Sequence, residues 1–342
     1  MIFYLLLLTI VLLCCINNSK VGYRFAAILL TVLAAIRYDV GADYSQYHYI
    51  IDSFKEVQKV PMWEPLTSYV FVLPSILLKN VYVFFALTSL FIYSLAFYSF
   101  RKYSVLPSLS LIIYLSIFYL ISCSIVRQAI ALSICMFAYK YIITKSFKKY
   151  AFSVLIATLF HYSAFISIFI YYIYHKGSMR HTLAILLAIL FVKNFIILGL
   201  TNLGWYTSYL DQLGDIASGR FTFLFYVLIF LSPFYIIKLK HYTKQEKGLL
   251  SIVLSGVFCQ IIFGTGMGER LAYYFLAYLC YAIPLLLKNK MVLKKYLYIF
   301  VFSIYFILTV YITSNIKGVS AVYVPYRTIF NSENIEFRDD YI

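Results

Sequence analysis

Charge is scarce in this chain. Of its 342 residues only 12% are Asp, Glu, Lys or Arg, about half the share of a soluble domain. Glycine (13) and proline (7) are also few, while hydrophobic residues reach 63% against the roughly 45–50% of soluble domains. So little charge over so much apolar sequence excludes a soluble globular protein. The wealth of aromatics (36 Tyr, 31 Phe) excludes a disordered one. Short alternating segments are absent and long apolar runs take their place, which excludes a membrane β-barrel. The remaining class is an all-α polytopic integral membrane protein.

Other absences narrow the function. The six cysteines, Cys14, Cys15, Cys123, Cys135, Cys259 and Cys280, all lie in apolar runs. They have no metal-ligand spacing and form no disulfide framework. No internal repeat is visible, which weakens an inverted-repeat transporter. The run from Ile2 to Ile16 lacks a basic leader and a small-residue cleavage site, and reads as a retained first helix. Nothing in the sequence calls for a cofactor or a metal. The net charge of +16 lies in short clusters between apolar runs, a topology signal and not a nucleic-acid surface.

A spanning helix needs about 20 apolar residues. About ten candidates follow: 2–16, 21–36, 81–100, 105–122, 125–143, 182–203, 221–238, 249–264, 271–287 and 296–314. The stretches 65–78 and 150–174 do not fit as single crossings. If neither makes a net crossing, six basic clusters share the cytoplasmic side: Lys20/Arg24, Arg101/Lys102, Lys140–Lys149, Lys176/Arg180, Lys238–Lys247 and Lys288–Lys295. Twelve of the 13 acidic residues then face outward, a distribution that played no part in choosing the arrangement. The chain reads as one transmembrane domain, 1–342. Its external parts are the loops 37–65 and 203–220 and the tail 315–342. The stretch 150–174 is expected to be a re-entrant hairpin with its tip near His161, and 65–78 a shallow helix on the outer face.

Charged residues at membrane depth default to functional candidates. Arg127, followed by Gln128 and preceded by Ser122 and Ser124, either snorkels to the interface or forms the polar wall of a cavity. Arg37 opens Arg37-Tyr-Asp39-Val-Gly41-Ala-Asp43, where Gly41 permits a turn. Asp39 and Asp43 are either catalytic or partners in a structural ion pair. Arg270 closes the glycine-rich Gly264–Gly268 stretch, a weak phosphate nest strengthened by its arginine. His161, alone in an apolar run, is either a packing residue or a base. Lys193, mid-helix, carries no assigned role. Guanidinium recognises phosphate bidentately, so three arginines on one side suit a lipid-linked phosphate or pyrophosphate. Tyr44, Tyr47, Tyr49, Trp63 and Trp205 in the external loops are placed to stack on sugars. The excess of aromatics otherwise suits interfacial belts in the lipid bilayer.

The run Ile36-Arg-Tyr-Asp-Val-Gly-Ala-Asp-Tyr-Ser-Gln-Tyr resembles a signature of the EpsG family of bacterial polysaccharide polymerases. Val126-Arg-Gln, Leu155-Ile-Ala-Thr-Leu-Phe-His-Tyr-Ser-Ala, Arg270 with Tyr273-Tyr-Phe, and Tyr323-Val-Pro-Tyr326 resemble its later blocks, in order, over nearly the whole chain. Ala42 stands where threonine is commoner. The resemblance implies a Wzy-type enzyme of the bacterial inner membrane, related to lipid-dependent membrane glycosyltransferases. It would join oligosaccharide units carried on undecaprenyl pyrophosphate at the outer face, into O-antigen, capsule or exopolysaccharide, with a separate chain-length regulator protein as partner. Arg37, Arg127, Gln128 and Arg270 are then expected to bind pyrophosphate. His161 is expected to act as base, because a neutral imidazole is available near pH 7, with Asp43 and Asp39 as further catalytic candidates. Two rival readings are a transferase that adds one sugar from a polyprenyl-phosphate donor, and a flippase of lipid-linked glycans.

Overall fold

The computed structural model describes residues 1–16, 19–57, 63–176, 242–263, 268–288, 292–315 and 323–330. Among them the regular elements are all helical, and the one β-bridge pairs Arg37 with Thr328. In chain order the helices are α1 (Ile2–Cys15), α2 (Lys20–Ala35), α3 (Tyr44–Val57), α4 (Pro65–Leu77), α5 (Tyr82–Tyr103), α6 (Pro107–Ser124) and α7 (Val126–Ile143). After α8 (Phe147–Phe160) and a 3-10 turn (Tyr162–Ser167) come α9 (Ile168–Lys176), α10 (Lys244–Phe263), α11 (Glu269–Leu287) and α12 (Val292–Asn315).

Five of the described helices, α5, α6, α7, α11 and α12, are long and apolar enough to cross a membrane. The expected number of about ten is therefore not established. Helices α1 and α2 have 14 and 16 residues, short of the ~20 a crossing needs. Helix α10 has 20 residues but opens with Lys244, Glu246 and Lys247. The candidates 182–203 and 221–238, with Lys193, lie outside the described residues, as does the loop 203–220 with Trp205.

Helices α6, α7 and α11 form the centre and are buried on nearly every face, whereas α1 and α12 show apolar faces outward. Proline 284 lies inside α11 and cannot donate to the carbonyl one turn back. The Ser110 hydroxyl of α6 donates to that Cys280 carbonyl at 2.6 Å and restores the lost bond.

The segment 150–174 doubles back. Helix α8 ends at His161, whose extended backbone (φ −159°, ψ 117°) breaks the helix before the 3-10 turn. On the return, Phe147 lies 5.1 Å from the Tyr171 ring and the Tyr150 hydroxyl donates to the Ser167 carbonyl at 2.7 Å. Neither arm is long enough to cross alone, so the expected hairpin with His161 at its tip describes the chain path. The first loop differs from expectation. Residues 44–57 are helical because Tyr44, Tyr47, Ile51 and Phe54 recur at helical spacing and pack inward. Tyr44 stacks on Phe85 at 4.0 Å, so it is a core residue and not a sugar platform, while Tyr49 is exposed.

Two ends of the bundle differ in charge. Arg101, Lys102, Lys140, Lys148, Lys149 and Lys176 sit at one end of their helices, with His175 feeling the charges of Lys145 and Lys244. Asp43, Glu64, Arg127, His161 and Arg270 gather at the other.

Candidate active site

The starts of α4, α7 and α11, the turn before α3 and the hairpin tip converge at this second end. Glu64 occupies the position ahead of Pro65, the first residue of α4, and is 4% exposed. Its carboxylate bridges two elements. Oε2 accepts from Arg127 Nη1 at 2.8 Å, and Oε1 lies 2.8 Å from His161 Nδ1. Burial pushes the Glu64 carboxyl up, but the hydrogen bond to His161 and the Arg127 guanidinium outweigh it and hold it down to about 2. An ionised carboxylate is acceptor-only, so Nδ1 must carry the proton. In a neutral imidazole the lone pair would then be on Nε2, which has no hydrogen bond among the described residues.

Arg127 is fixed on three sides. Its Nε donates to the Tyr47 hydroxyl at 3.2 Å, and its guanidinium lies 5.2 Å from the centre of the Trp63 ring. The side chain remains 30% exposed, so it is held without being sealed. Asp43 lies in the field of both Arg270 and Arg127. Burial raises its carboxyl, and the two guanidiniums oppose that rise. Gln128 is buried and donates through Nε2 to the Arg270 carbonyl. The Tyr274 hydroxyl lies 3.2 Å from Ser163 Oγ and ties the hairpin tip to α11. Of the expected residues, Asp43, Arg127, Gln128, His161 and Arg270 are thus brought together. Residues 264–267 of the glycine-rich stretch lie outside the described residues.

Arg37 and Asp39 belong elsewhere. Arg37 is 2% exposed. Its Nη1 donates to the Ala34 carbonyl at the end of α2 and to Ser89 Oγ, and Phe85 lies beneath it. A guanidinium at a helix C-terminus is favourable, and this one is enclosed by the surrounding helices. Asp39, equally buried, accepts from Arg327 Nη1 at 2.9 Å. That pair belongs to a C-terminal strap. Tyr38 N donates to the Arg327 carbonyl, Ile329 N to the Ile36 carbonyl, and the Tyr326 hydroxyl to the Leu33 carbonyl. Arg37, expected to bind pyrophosphate, and Asp39, a catalytic candidate, stand at this corner apart from the Arg127–Glu64–His161 group.

The two regions share one hinge. Gly41 has φ +117°, and a Cβ there would meet the Cys123 carbonyl at 2.4 Å, so only glycine fits. Next to it, Ala42 N donates to Ser124 Oγ at 3.0 Å, and Ser124 Oγ also contacts the Tyr323 hydroxyl at 3.0 Å. Asp43 and Arg127 are therefore set relative to each other through Ser124.

Sequence reasoning missed Glu64. Its signal was an acid directly ahead of a proline that opens an apolar helix, in Trp63-Glu64-Pro65. Among the described residues, no three His, Cys, Asp or Glu side chains gather as metal ligands would.

No curated protein and no solved structure matches the chain. The family model that matches, over residues 20–328, is that of the EpsG family. The chain belongs to the EpsG family, a family of Wzy-type polysaccharide polymerase-like membrane proteins.

Proposed function

We propose that this protein joins oligosaccharide repeat units carried on undecaprenyl pyrophosphate into a longer glycan, at the outer face of the bacterial inner membrane. The observation that carries this reading is the Arg127–Glu64–His161 bridge, a base, its orienting carboxylate and a cation at one half-open point. Family membership and the gathering of lysines at the opposite end support it.

The growing chain on its lipid pyrophosphate is the donor. A hydroxyl of the incoming lipid-linked unit attacks the anomeric carbon. The new C–O bond forms as the bond to pyrophosphate breaks, the hydroxyl proton passes to His161 Nε2, and the electron pair leaves with the lipid pyrophosphate. Glu64 keeps His161 in the required tautomer and stabilises the imidazolium that forms. Positioned proton transfer of this kind contributes about 10²–10⁴-fold. Arg127 and Arg270 stabilise the charge growing on the leaving oxygen, each such donor contributing about 10²–10³-fold. Asp43 keeps the two guanidiniums from repelling each other until the pyrophosphate arrives.

The test is a gel of surface glycans from the source strain with the gene deleted, then restored as wild type or as Arg127→Ala. The expected result is loss of the long ladder with single units still reaching the surface, rescue by wild type and no rescue by the variant. An unchanged ladder would discard the polymerase reading. One missing sugar would indicate the single-sugar transferase, and loss of even the single unit would indicate an earlier step.

A further inference from the structure

Two buried glutamines near Arg270 have amide atoms with no hydrogen-bond partner among the described residues. Both Nε2 and Oε1 of Gln260, on α10, are unpaired, and so is Oε1 of Gln128, on α7. The residues are 4% and 2% exposed. Serine and threonine hydroxyls in this bundle mostly donate to the carbonyl one turn back, as Ser255 does to Ser251, so an amide with both ends idle stands out. Leaving such groups unpaired in an apolar surrounding costs stability and calls for an explanation.

Position supplies one. Gly256 packs so closely on α11 that a Cβ there would lie 2.9 Å from Leu276 and 3.0 Å from Phe275. Helices α10 and α11 run antiparallel. Gln260 lies one turn beyond Gly256, and is therefore level with Leu271 and Ala272, beside Arg270. Gln128 reaches the same first turn of α11, because its Nε2 donates to the Arg270 carbonyl. The idle amide atoms thus lie beside the first turn of α11, the turn that carries Arg270, which the proposed function assigns to pyrophosphate.

We infer that Gln260, with Gln128 Oε1, forms a subsite for the hydroxyls of the sugar directly attached to the pyrophosphate. An amide offers a donor and an acceptor side by side, which matches two neighbouring hydroxyls of a sugar ring. The inference rests on the polymerase reading for the lipid-pyrophosphate class of ligand.

The experiment compares purified full-length wild type with Gln260→Met and Gln260→Leu. Two ligands are titrated: undecaprenyl pyrophosphate, and the lipid-linked repeat unit extracted from a strain lacking this gene. Wild type should bind the sugared lipid more tightly than the bare one. Both variants should lose about tenfold of that preference, the loss of two neutral hydrogen bonds, while binding bare lipid as wild type does. Their melting temperature should equal or exceed that of wild type, because an unpaired amide has been replaced by an apolar chain. Variants that keep the preference would overturn the subsite, as would failure of both to fold, which would make the amide structural. Extending the sugared lipid with wild type separates the two claims. Absence of a ladder would sink the polymerase reading while the binding preference still decides the subsite.

Discussion

Two arginine–carboxylate groups in this fold are built in opposite ways. At the Arg37–Asp39 corner both side chains are 2% exposed and are held by the Ala34 carbonyl, Ser89 and the strap residue Arg327, itself 20% exposed. At the Arg127–Glu64–His161 bridge the acid is buried, but the arginine is 30% and the histidine 18% exposed. The first arrangement turns its charges inward onto the fold, with Arg37 Nε left without a hydrogen-bond partner among the described residues. The second leaves an imidazole nitrogen and part of a guanidinium available. The proposed function assigns chemistry to the second group because its cation is part-exposed and its carboxylate orients an imidazole.

The sharpest way to break this comparison is at Glu64. Glu64→Gln should reduce polymerisation by about 10²–10⁴-fold in a glycan-ladder assay, since a neutral amide neither selects the tautomer nor stabilises imidazolium. Arg127→Lys should fail as badly as Arg127→Ala in the same assay, because the planar fork that meets both Glu64 and pyrophosphate is lost. Near-full ladders from the lysine variant would sink that role.

The strap pair should behave differently. Asp39→Arg or Arg327→Asp alone should cost about 3–5 kcal/mol of stability, as breaking a buried pair does. The double reversal should recover most of the melting temperature and the ladder. A catalytic Asp39 would not be rescued by moving its charge to Arg327, so a folded but inactive double variant would restore the catalytic reading. Gly41→Ala should cost more than about 1 kcal/mol in thermal unfolding, through strain at φ +117° and collision with Cys123.

The smallest effect expected is in pH. Glu64 is depressed from 4.5 to about 2, so its stabilisation is complete above 4.5 and is lost as pH falls toward 2. The melting-temperature gap between wild type and Glu64→Gln should stay constant from neutral pH to about 4.5 and narrow below it. A gap that closes between pH 7 and 5 would mean that Glu64 is not held by Arg127 and His161.

Much of this was legible in the sequence, for physical reasons. The hairpin at His161 followed from a segment too long for one arm and too short for two crossings. The grouping of Arg127, Asp43, His161 and Arg270 followed from charge-determined sidedness. Helix α3 was also legible, in the spacing of Tyr44, Tyr47, Ile51 and Phe54, but its polar content made it read as a loop. The contacts of Glu64 were not, because local pattern says nothing of partners 63 and 97 positions away. Nor was the sealing of Arg37 and Asp39, which depends on a strap 288 residues distant from Asp39. From sequence alone, the enclosed Arg37 and the part-exposed Arg127 look the same.

In the proposed reaction the Glu64-oriented His161 takes the acceptor proton. Glycan length and released undecaprenyl pyrophosphate should be followed with purified protein and extracted lipid-linked units, comparing wild type, Glu64→Gln and His161→Gln. Wild type should build a ladder and release one lipid pyrophosphate per new bond, and both variants, folded, should do neither. A His161→Gln protein that builds the ladder at the wild-type rate would rule out His161 as the base.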